Sequence, residues 1–261
     1  RASEYGYEGV ELRLIDGQVI TPELVTANKE RIKRLFGDAG LQVAALDSSA
    51  AFAMPDRAER AKHEAAVKAF LALAKELGAP CIRVFGGRLP EGVSIEQAIE
   101  NVADSLNRVA PAAEQAGVAV AVETHDEFSR AEEVAAVLDR VPSRAVGALW
   151  DTLHTCRMGN STARVLELLG SRLLHMHVKD ARLPEPGKWD LVLLEEGEVP
   201  VREVVQALVA RKYDGWCVVE WEKKWHPEIP EPEVAFPQHI RLLKACFRTI
   251  PGNYKSGKRT R

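Results

Sequence analysis

Apolar runs of strand length alternate with amphipathic runs of helix length along the chain, and each apolar run stops at a polar or charged residue. Gly9 to Arg13 reads as the first short strand. Thr21 and Pro22 then offer an N-cap and a first-turn proline for a helix that ends at Gly37 or Gly40. A strand over 41–46 stops at Asp47, and helical periodicity over 56–77 stops at Gly78. Cys81 to Phe85 is the next strand, halted by Gly86 and Gly87. Ser94 and Gln97 have capping-box spacing for a helix reaching Gln115, and Ser129 with Glu132 repeats that spacing before the strand that ends at Asp151. Between those two helices, 118–122 is a strand that runs into Glu123 and His125. Helical segments over 162–169, 201–211 and 234–247 alternate with strands that end at His177 and Glu220. Strand followed by helix, repeated, predicts parallel strands joined by crossover helices.

Parallel strands bring their carboxyl ends to one rim. Seven of those ends carry polar groups: Glu11, Asp47, Arg83, Glu123, Asp151, His177 and Glu220. In a closed barrel that rim is the active face. An open doubly wound sheet would gather its ligand groups at one switch point and would show a glycine-rich first turn, which is missing. Parity agrees, because Ala119, Ala121, Glu123 and His125 share one face of their strand while Val118, Val120 and Val122 face the other way, under the helices. The expected fold is α/β, a (β/α)8 TIM barrel without its first strand and most of its first helix, since the chain opens on what reads as the last turn of a helix. Seven barrel strands are expected. Either the sequence is truncated relative to its natural start or the gap beside the Glu11 strand is covered, because an open parallel edge invites aggregation. One barrel domain is expected over 1–250, with a flexible basic tail at 251–261.

Composition narrows the class. With 261 residues, 46% of them apolar, one domain can bury a large core. A net charge of -3 does not suggest nucleic acid or an anionic membrane as a partner. Cys81, Cys156, Cys217 and Cys246 lack Cys-x-x-Cys spacing and read as reduced packing residues, and no apolar segment approaches membrane-spanning length. The amino terminus does not read as a signal peptide. A soluble cytoplasmic protein acting on a small molecule is therefore expected, with self-association left open.

Chemistry is densest between Ala145 and Asp180, where two apolar runs end in Asp151 and His154 and then in His175, His177 and Lys179. The last three share one strand face, opposite Leu174, Met176 and Val178. Gly-Tyr-Glu-Gly-Val-Glu-Leu-Arg, Val-Glu-Thr-His, Trp-Asp-Thr-Leu-His, His-Met-His-Val-Lys-Asp, Glu-Gly-Glu-Val-Pro and Gly-Trp-Cys-Val-Val-Glu-Trp-Glu follow one another in that order. Their order and placement, from about Gly6 to the last helix, resemble the xylose isomerase-like barrel superfamily. That group contains sugar isomerases and epimerases, inosose and dehydroshikimate dehydratases, and endonuclease IV.

The resemblance to its sugar-epimerase branch implies one divalent cation held by Glu123, Asp151, His177 and Glu220. Residue chemistry supports that set, because three carboxylates and an imidazole converging on a rim would repel one another without a cation. Such donors favour Mn²⁺ or Mg²⁺, with Co²⁺ and Zn²⁺ also admitted, over a thiolate-rich zinc site. Taken singly, each residue also has a bland reading as a helix cap, salt-bridge partner or structural histidine. The family's usual glycine ahead of Gly-Glu-Val-Pro is Glu195 here, which bears on the shape of that loop. A trinuclear phosphodiester-cleaving site is set aside, because the loop over 182–198 contains no histidine.

Other residues carry paired readings. His154 contacts a substrate hydroxyl or a second ion, or orients Asp151. Lys179 balances developing charge, or pairs with Asp180 or Glu220. Arg83, Glu11 and Arg13 bind hydroxyls or a carboxylate, or form an ion-pair layer inside the barrel. His125 is a rim contact and His175 a buried hydrogen-bonding residue. Trp221 and the segment after it form a stacking wall for a sugar or polyol, or pack the final loop. His63 and His239 read as surface residues. The expected activity is isomerisation or epimerisation of a keto-sugar, with Glu123 and Glu220 moving the α-proton through a metal-stabilised enediolate. The alternative is a dehydratase of a cyclic polyol or keto acid using His154 or Lys179 as the acid. A sugar-binding protein without turnover is the third reading.

Overall fold

The computed structural model describes residues 1–185 and 187–248. Its centre is a seven-stranded parallel sheet: β1 (Gly9–Leu12), β2 (Gln42–Ala51), β3 (Cys81–Phe85), β4 (Ala119–Glu123), β5 (Val146–Asp151), β6 (Leu173–Val178) and β7 (Trp216–Val219). The strands neighbour one another in chain order, so the sheet curls into a nearly closed barrel with β1 and β7 at its two edges. The expected seven strands are all there, and among the described residues a strand and helix of a full eight-fold barrel are lacking. At the seam the Trp216 ring fills the space beside Gly9, where a Cβ would lie 2.7 Å from the ring. Tyr7 donates to the Phe236 carbonyl at 3.0 Å and Lys244 to the Gly6 carbonyl at 2.6 Å, tying the first residues to helix Pro232–Arg248.

The helices begin and end where the sequence signals stand. Thr21 Oγ1 accepts from the Leu24 amide ahead of helix Pro22–Ala39, and Gly40 closes it at φ 65°. Asp56 caps helix Arg57–Leu77, which Gly78 closes, and Ser94 caps helix Ile95–Ala116, which Gly117 closes. These closing glycines are left-handed, a conformation that costs any residue with a Cβ about 1–2 kcal/mol. Val118, Val120 and Val122 are buried against the helices, as parity requires.

Three local expectations fail. Strand β2 runs on to Ala51 instead of stopping at Asp47, because Asp47 is an interior residue beside Arg83 (3.6 Å) and not a strand end. Ser129 and Glu132 form no capping box. Helix Ala131–Leu138 starts one residue later than that box requires, the Asn160 side chain accepts from the Ala131 amide, and Ser129 donates to the Asp126 carbonyl. His239 is not a surface residue but fully buried against Trp221, whereas half-buried His63 accepts from the Ala51 amide at 2.9 Å through Nδ1. The basic tail at 251–261 lies outside the described residues. Among the described residues no helix is long and apolar enough to cross a membrane.

Candidate functional site

Alternation along β6 aims His175 and His177 into the barrel, and parallel pairing sets His177 beside Asp151 of β5 on one side and Val218 of β7 on the other. Glu123 ends β4, and Glu220 extends the β7 ladder by donating its amide to the Val178 carbonyl. One donor atom from each of Glu123, Asp151, His177 and Glu220 therefore lies within 4.8 Å of the others. His177 Nδ1 is 3.0 Å from Glu123 Oε1 and 3.5 Å from Glu220 Oε2. Glu123, Asp151 and His177 are buried, whereas the Glu220 side chain is 26% exposed and opens the cluster to the rim.

Asp151 divides its two oxygens between tasks. Oδ1 caps the short helix Thr152–Arg157, accepting from the Leu153 and His154 amides at 2.9 and 3.1 Å. Oδ2 is buried without a hydrogen bond; the Lys179 ammonium stands 2.9 Å away but out of alignment for one. Lys179, itself buried, also reaches Glu220 Oε2 and Glu222 Oε1, each at 2.6 Å. It pairs with Glu220, as one reading of the sequence has it, but not with Asp180. The Asp180 carboxylate instead accepts from the amides of Ala181, Gly197 and Val199 and pins the hairpin of Asp180–Arg182 and Asp190–Val192 over the barrel.

Charge sets the ionisation of the cluster. Burial pushes Glu123 upward, but Arg83 (2.5 Å from Oε2) and His177 outweigh it and bring its pKa down to about 2. Burial raises Asp151 to about 6, with Lys179 opposing the rise and Glu220 and Glu123 adding to it. Glu220 is held well below the usual carboxylate range: Lys179 and His177 overcome the effect of burial. His177 is raised well above an ordinary imidazole because Glu11, Glu220 and Glu123 outweigh its burial.

Glu11 and Arg83 lie in an interior ion-pair layer and not at the rim. Glu11 accepts from His175 and His177, and Arg83 bridges Glu123 and Asp47 while stacking over Phe85 at 4.0 Å. Arg13 donates to the Asp47 carbonyl and to Ser49 Oγ. Trp221 packs the final loop: its indole donates to the Pro230 carbonyl and its ring meets His239 edge-on at 5.2 Å. His175 is the buried hydrogen-bonding residue expected. His125 sits at the rim, between the rings of Phe85 (4.9 Å) and His154 (4.4 Å).

His154 is buried, and Arg157 Nε donates to its Nδ1 at 3.0 Å. That bond assigns the proton to Nε2, which has no partner and lies 3.8 Å from Asp151 Oδ2. Burial, with Lys179, His125 and Arg157 nearby, keeps the ring neutral by pushing its pKa well down. His154 thus presents an N–H donor to the site. Sequence reasoning missed Arg157, Glu222 and Trp189, on which the Arg157 guanidinium stacks at 4.5 Å. Glu222 was within reach, since alternation past Glu220 returns to the same face. Trp189 comes from a hairpin whose approach to His154 no local pattern announces.

Glu195 takes φ 69°, the left-handed conformation that glycine adopts freely, so the loop keeps a glycine-like shape with a glutamate in it. A family model described as xylose isomerase-like TIM barrel matches residues 1–246. An inosose dehydratase from Geobacillus thermodenitrificans (strain NG80-2) is 26% identical over 171 residues, covering 59% of this chain and 57% of that protein. Fructoselysine 3-epimerase from Escherichia coli O157:H7 is 22% identical over 257 residues, covering 94% of this chain and 91% of that protein. The chain spans about half the length of the inosose dehydratases it matches. Among solved structures, the IOLI protein with a binding zinc atom shares the fold, with a TM-score of 0.78 at 18% identity over 94% of this chain and 90% of that one. Barrel, strand order and matched residues agree, and the chain belongs to the xylose isomerase-like TIM barrel family.

Proposed function

We propose that the protein is a divalent-metal-dependent isomerase or epimerase of a keto-sugar or sugar derivative, working from the rim at Glu123, Asp151, His177 and Glu220. The observation that carries this reading is the convergence of those four side chains within 4.8 Å, with Asp151 Oδ2 buried and lacking a hydrogen bond. Two ligand atoms on one hard ion stand at most about 4–5 Å apart, so the residues fit an ion with little rearrangement. Lys179 supports the fit, because its ammonium already stands where Asp151 and Glu220 converge, as a cation would. Three carboxylates and one imidazole select Mn²⁺ or Mg²⁺. When bound, such an ion supplies a Lewis acid that polarises a carbonyl and neutralises charge developing beside it.

The chain's own residues supply the proton chemistry. Glu123 and Glu220 come from different strands to the same ring nitrogen, and both remain carboxylates at neutral pH. One removes the α-proton of a keto-sugar and later releases it to solvent, and the other, after taking a proton from a substrate hydroxyl or water, delivers it to the opposite face, contributing roughly 10²–10⁴ each. Neutral His154 donates from Nε2 to a substrate oxygen, with Arg157 fixing its orientation. His125, between His154 and Phe85, bounds the same opening.

A dehydratase is the second reading, favoured by the inosose dehydratases among the similar proteins and by a buried imidazole N–H positioned to hydrogen-bond a departing hydroxyl. Incubating a panel of ketoses, inososes and dehydroshikimate with the chain and Mn²⁺ in deuterated water separates them. An isomerase yields products of unchanged carbon skeleton and oxygen count, with deuterium entering the recovered sugar. Water loss without exchange into recovered substrate would replace that reading with the dehydratase, and saturable binding without turnover would leave a binding protein.

A further inference from the structure

Beneath the four-residue cluster a chain of buried polar contacts crosses the barrel from one end of the sequence to the other. Glu11, on β1, places Oε1 and Oε2 at 3.0 and 3.1 Å from His177 Nε2, and the same Oε2 at 2.8 Å from His175 Nε2. The chain continues from His175 Nδ1 to Cys81 Sγ at 3.6 Å. Both imidazoles are fully buried, their rings 5.7 Å apart and 79° to one another, so neither can turn without displacing the other. An ionised carboxylate only accepts hydrogen bonds. Facing Glu11, Nε2 of His177 must therefore carry a proton, while Nδ1 faces Glu123 and Glu220 and donates to Glu123 at 3.0 Å until those carboxylates take an ion, so Nδ1 is the nitrogen that gives up its proton to the ion.

We infer that Glu11 is a positioning residue for the cation site, holding His177 as its Nε2–H tautomer so that Nδ1 is the ligand nitrogen. This rests on the proposed cation reading of Glu123, Asp151, His177 and Glu220, and adds to it a residue from β1 that touches no ligand atom. The physics is that of an imidazole ligand whose second nitrogen donates to a carboxylate: ring orientation and tautomer are set in advance, and ligand basicity rises. Donor atoms of Glu11, His175 and His177 also lie within 4.8 Å of one another, the spacing a second ion would need. The same distances are fully explained by two hydrogen bonds into one carboxylate, and an ion there would require His177 to lose both ring protons. The single-ion arrangement is the one assigned.

The test uses the whole chain and metal ions alone. In protein carrying ring-¹⁵N histidine and loaded with diamagnetic Zn²⁺, His177 should show a protonated Nε2 and a ligated Nδ1. Mn²⁺ titration should give one ion per chain, and Glu11→Gln should weaken that affinity by about 10- to 100-fold without changing the stoichiometry. Zn²⁺-loaded Glu11→Gln should also show a shifted or broadened His177 Nε2–H signal, which a purely packing role for Glu11 would leave in place. Ligation of wild-type His177 through Nε2, two ions per chain, or affinity of a folded Glu11→Gln within twofold of wild type would each overturn the inference. If Glu11→Gln does not fold, the wild-type nitrogen assignment decides alone. Glu123→Gln separates the layers: a wild-type chain that binds no ion, or a Glu123→Gln chain that binds it undiminished, defeats the cation reading itself. Loss in Glu123→Gln with none in Glu11→Gln defeats only the role given to Glu11.

Discussion

Replacing Lys179 with methionine keeps most of the side-chain volume and removes one buried charge from among three carboxylates. The ammonium lies 2.6 Å from Glu220 Oε2, 2.6 Å from Glu222 Oε1 and 2.9 Å from Asp151 Oδ2. Removing one partner of a buried pair typically costs about 3–5 kcal/mol, because the opposite charges are left uncompensated. A domain of this size loses roughly 2–4 °C of melting temperature per kcal/mol, so the metal-free variant should melt about 6–20 °C below wild type. The loss has a ceiling. Asp151 already has its pKa raised to about 6 by burial, with Lys179 opposing the rise, so without the ammonium it relieves the repulsion by taking a proton. Added Mn²⁺ should reverse most of the deficit, since an ion at 1,000 times its dissociation constant stabilises by about 4 kcal/mol. It should also bind the variant at least about tenfold more tightly, as 1.4 kcal/mol of relieved repulsion suffices for that. Thermal unfolding in EDTA and in Mn²⁺, with calorimetric titration, measures all three quantities. A variant that melts with wild type in EDTA, or binds Mn²⁺ more weakly, would refute the view of Lys179 as an internal cation sharing the site.

Glu123→Gln and Glu220→Gln should each weaken Mn²⁺ binding and lower turnover by roughly 10²–10⁴ once a substrate is in hand. Glu123→Gln should in addition cost about 3–5 kcal/mol of stability by stranding buried Arg83, whereas partly exposed Glu220 should cost clearly less, which thermal melts will separate. Glu195→Gly should raise the melting temperature slightly: it relieves a left-handed backbone worth about 1–2 kcal/mol and loses a surface pair with Arg202 worth about 0–1 kcal/mol. Burial lowers the His239 pKa below 6.5, so the unfolded chain protonates first and stability falls as pH drops below about 6.5. His239→Phe should flatten that part of the stability profile relative to wild type in denaturant titrations at pH 5 and 7, and an unchanged slope would remove His239 as its source.

The sequence announces whatever is set by neighbours within one turn or one strand. Thr21 with Gly40 and Asp56 with Gly78 bracket helices, and Ser94 opens one, because a hydroxyl or carboxylate caps amides two or three residues on and glycine tolerates the closing φ. Alternation brings Glu123, Asp151, His177 and Glu220 to one rim for the same reason, since period two fixes the face and parallel pairing fixes the end. The failures mark where a polar residue is interior. Asp47 looked like a strand end because nothing in 41–51 reveals that Arg83 will stand opposite it. His239 looked exposed because its burial depends on Trp221, which arrives from the far side of a loop.

Glu11 shows how far such reasoning reaches. Parity correctly turns it inward, and a carboxylate at a strand end in this fold is reasonably expected to meet substrate. Whether it meets substrate or a ligand histidine depends on depth, and depth depends on the stagger of β1 against strands it never touches. β1 pairs with β2 through a register shift between Val10 and Leu12, so Glu11 sits where the ladder slips. The contact it then makes, with His177, spans 166 positions in sequence and crosses the barrel interior without following the sheet. No periodic pattern records a distance of that kind, because it is created by curling the sheet and not by any strand. The residues proposed to hold an ion can thus be read from the strand ends, while the residue proposed to fix a ligand's tautomer becomes visible only once the barrel curls around it.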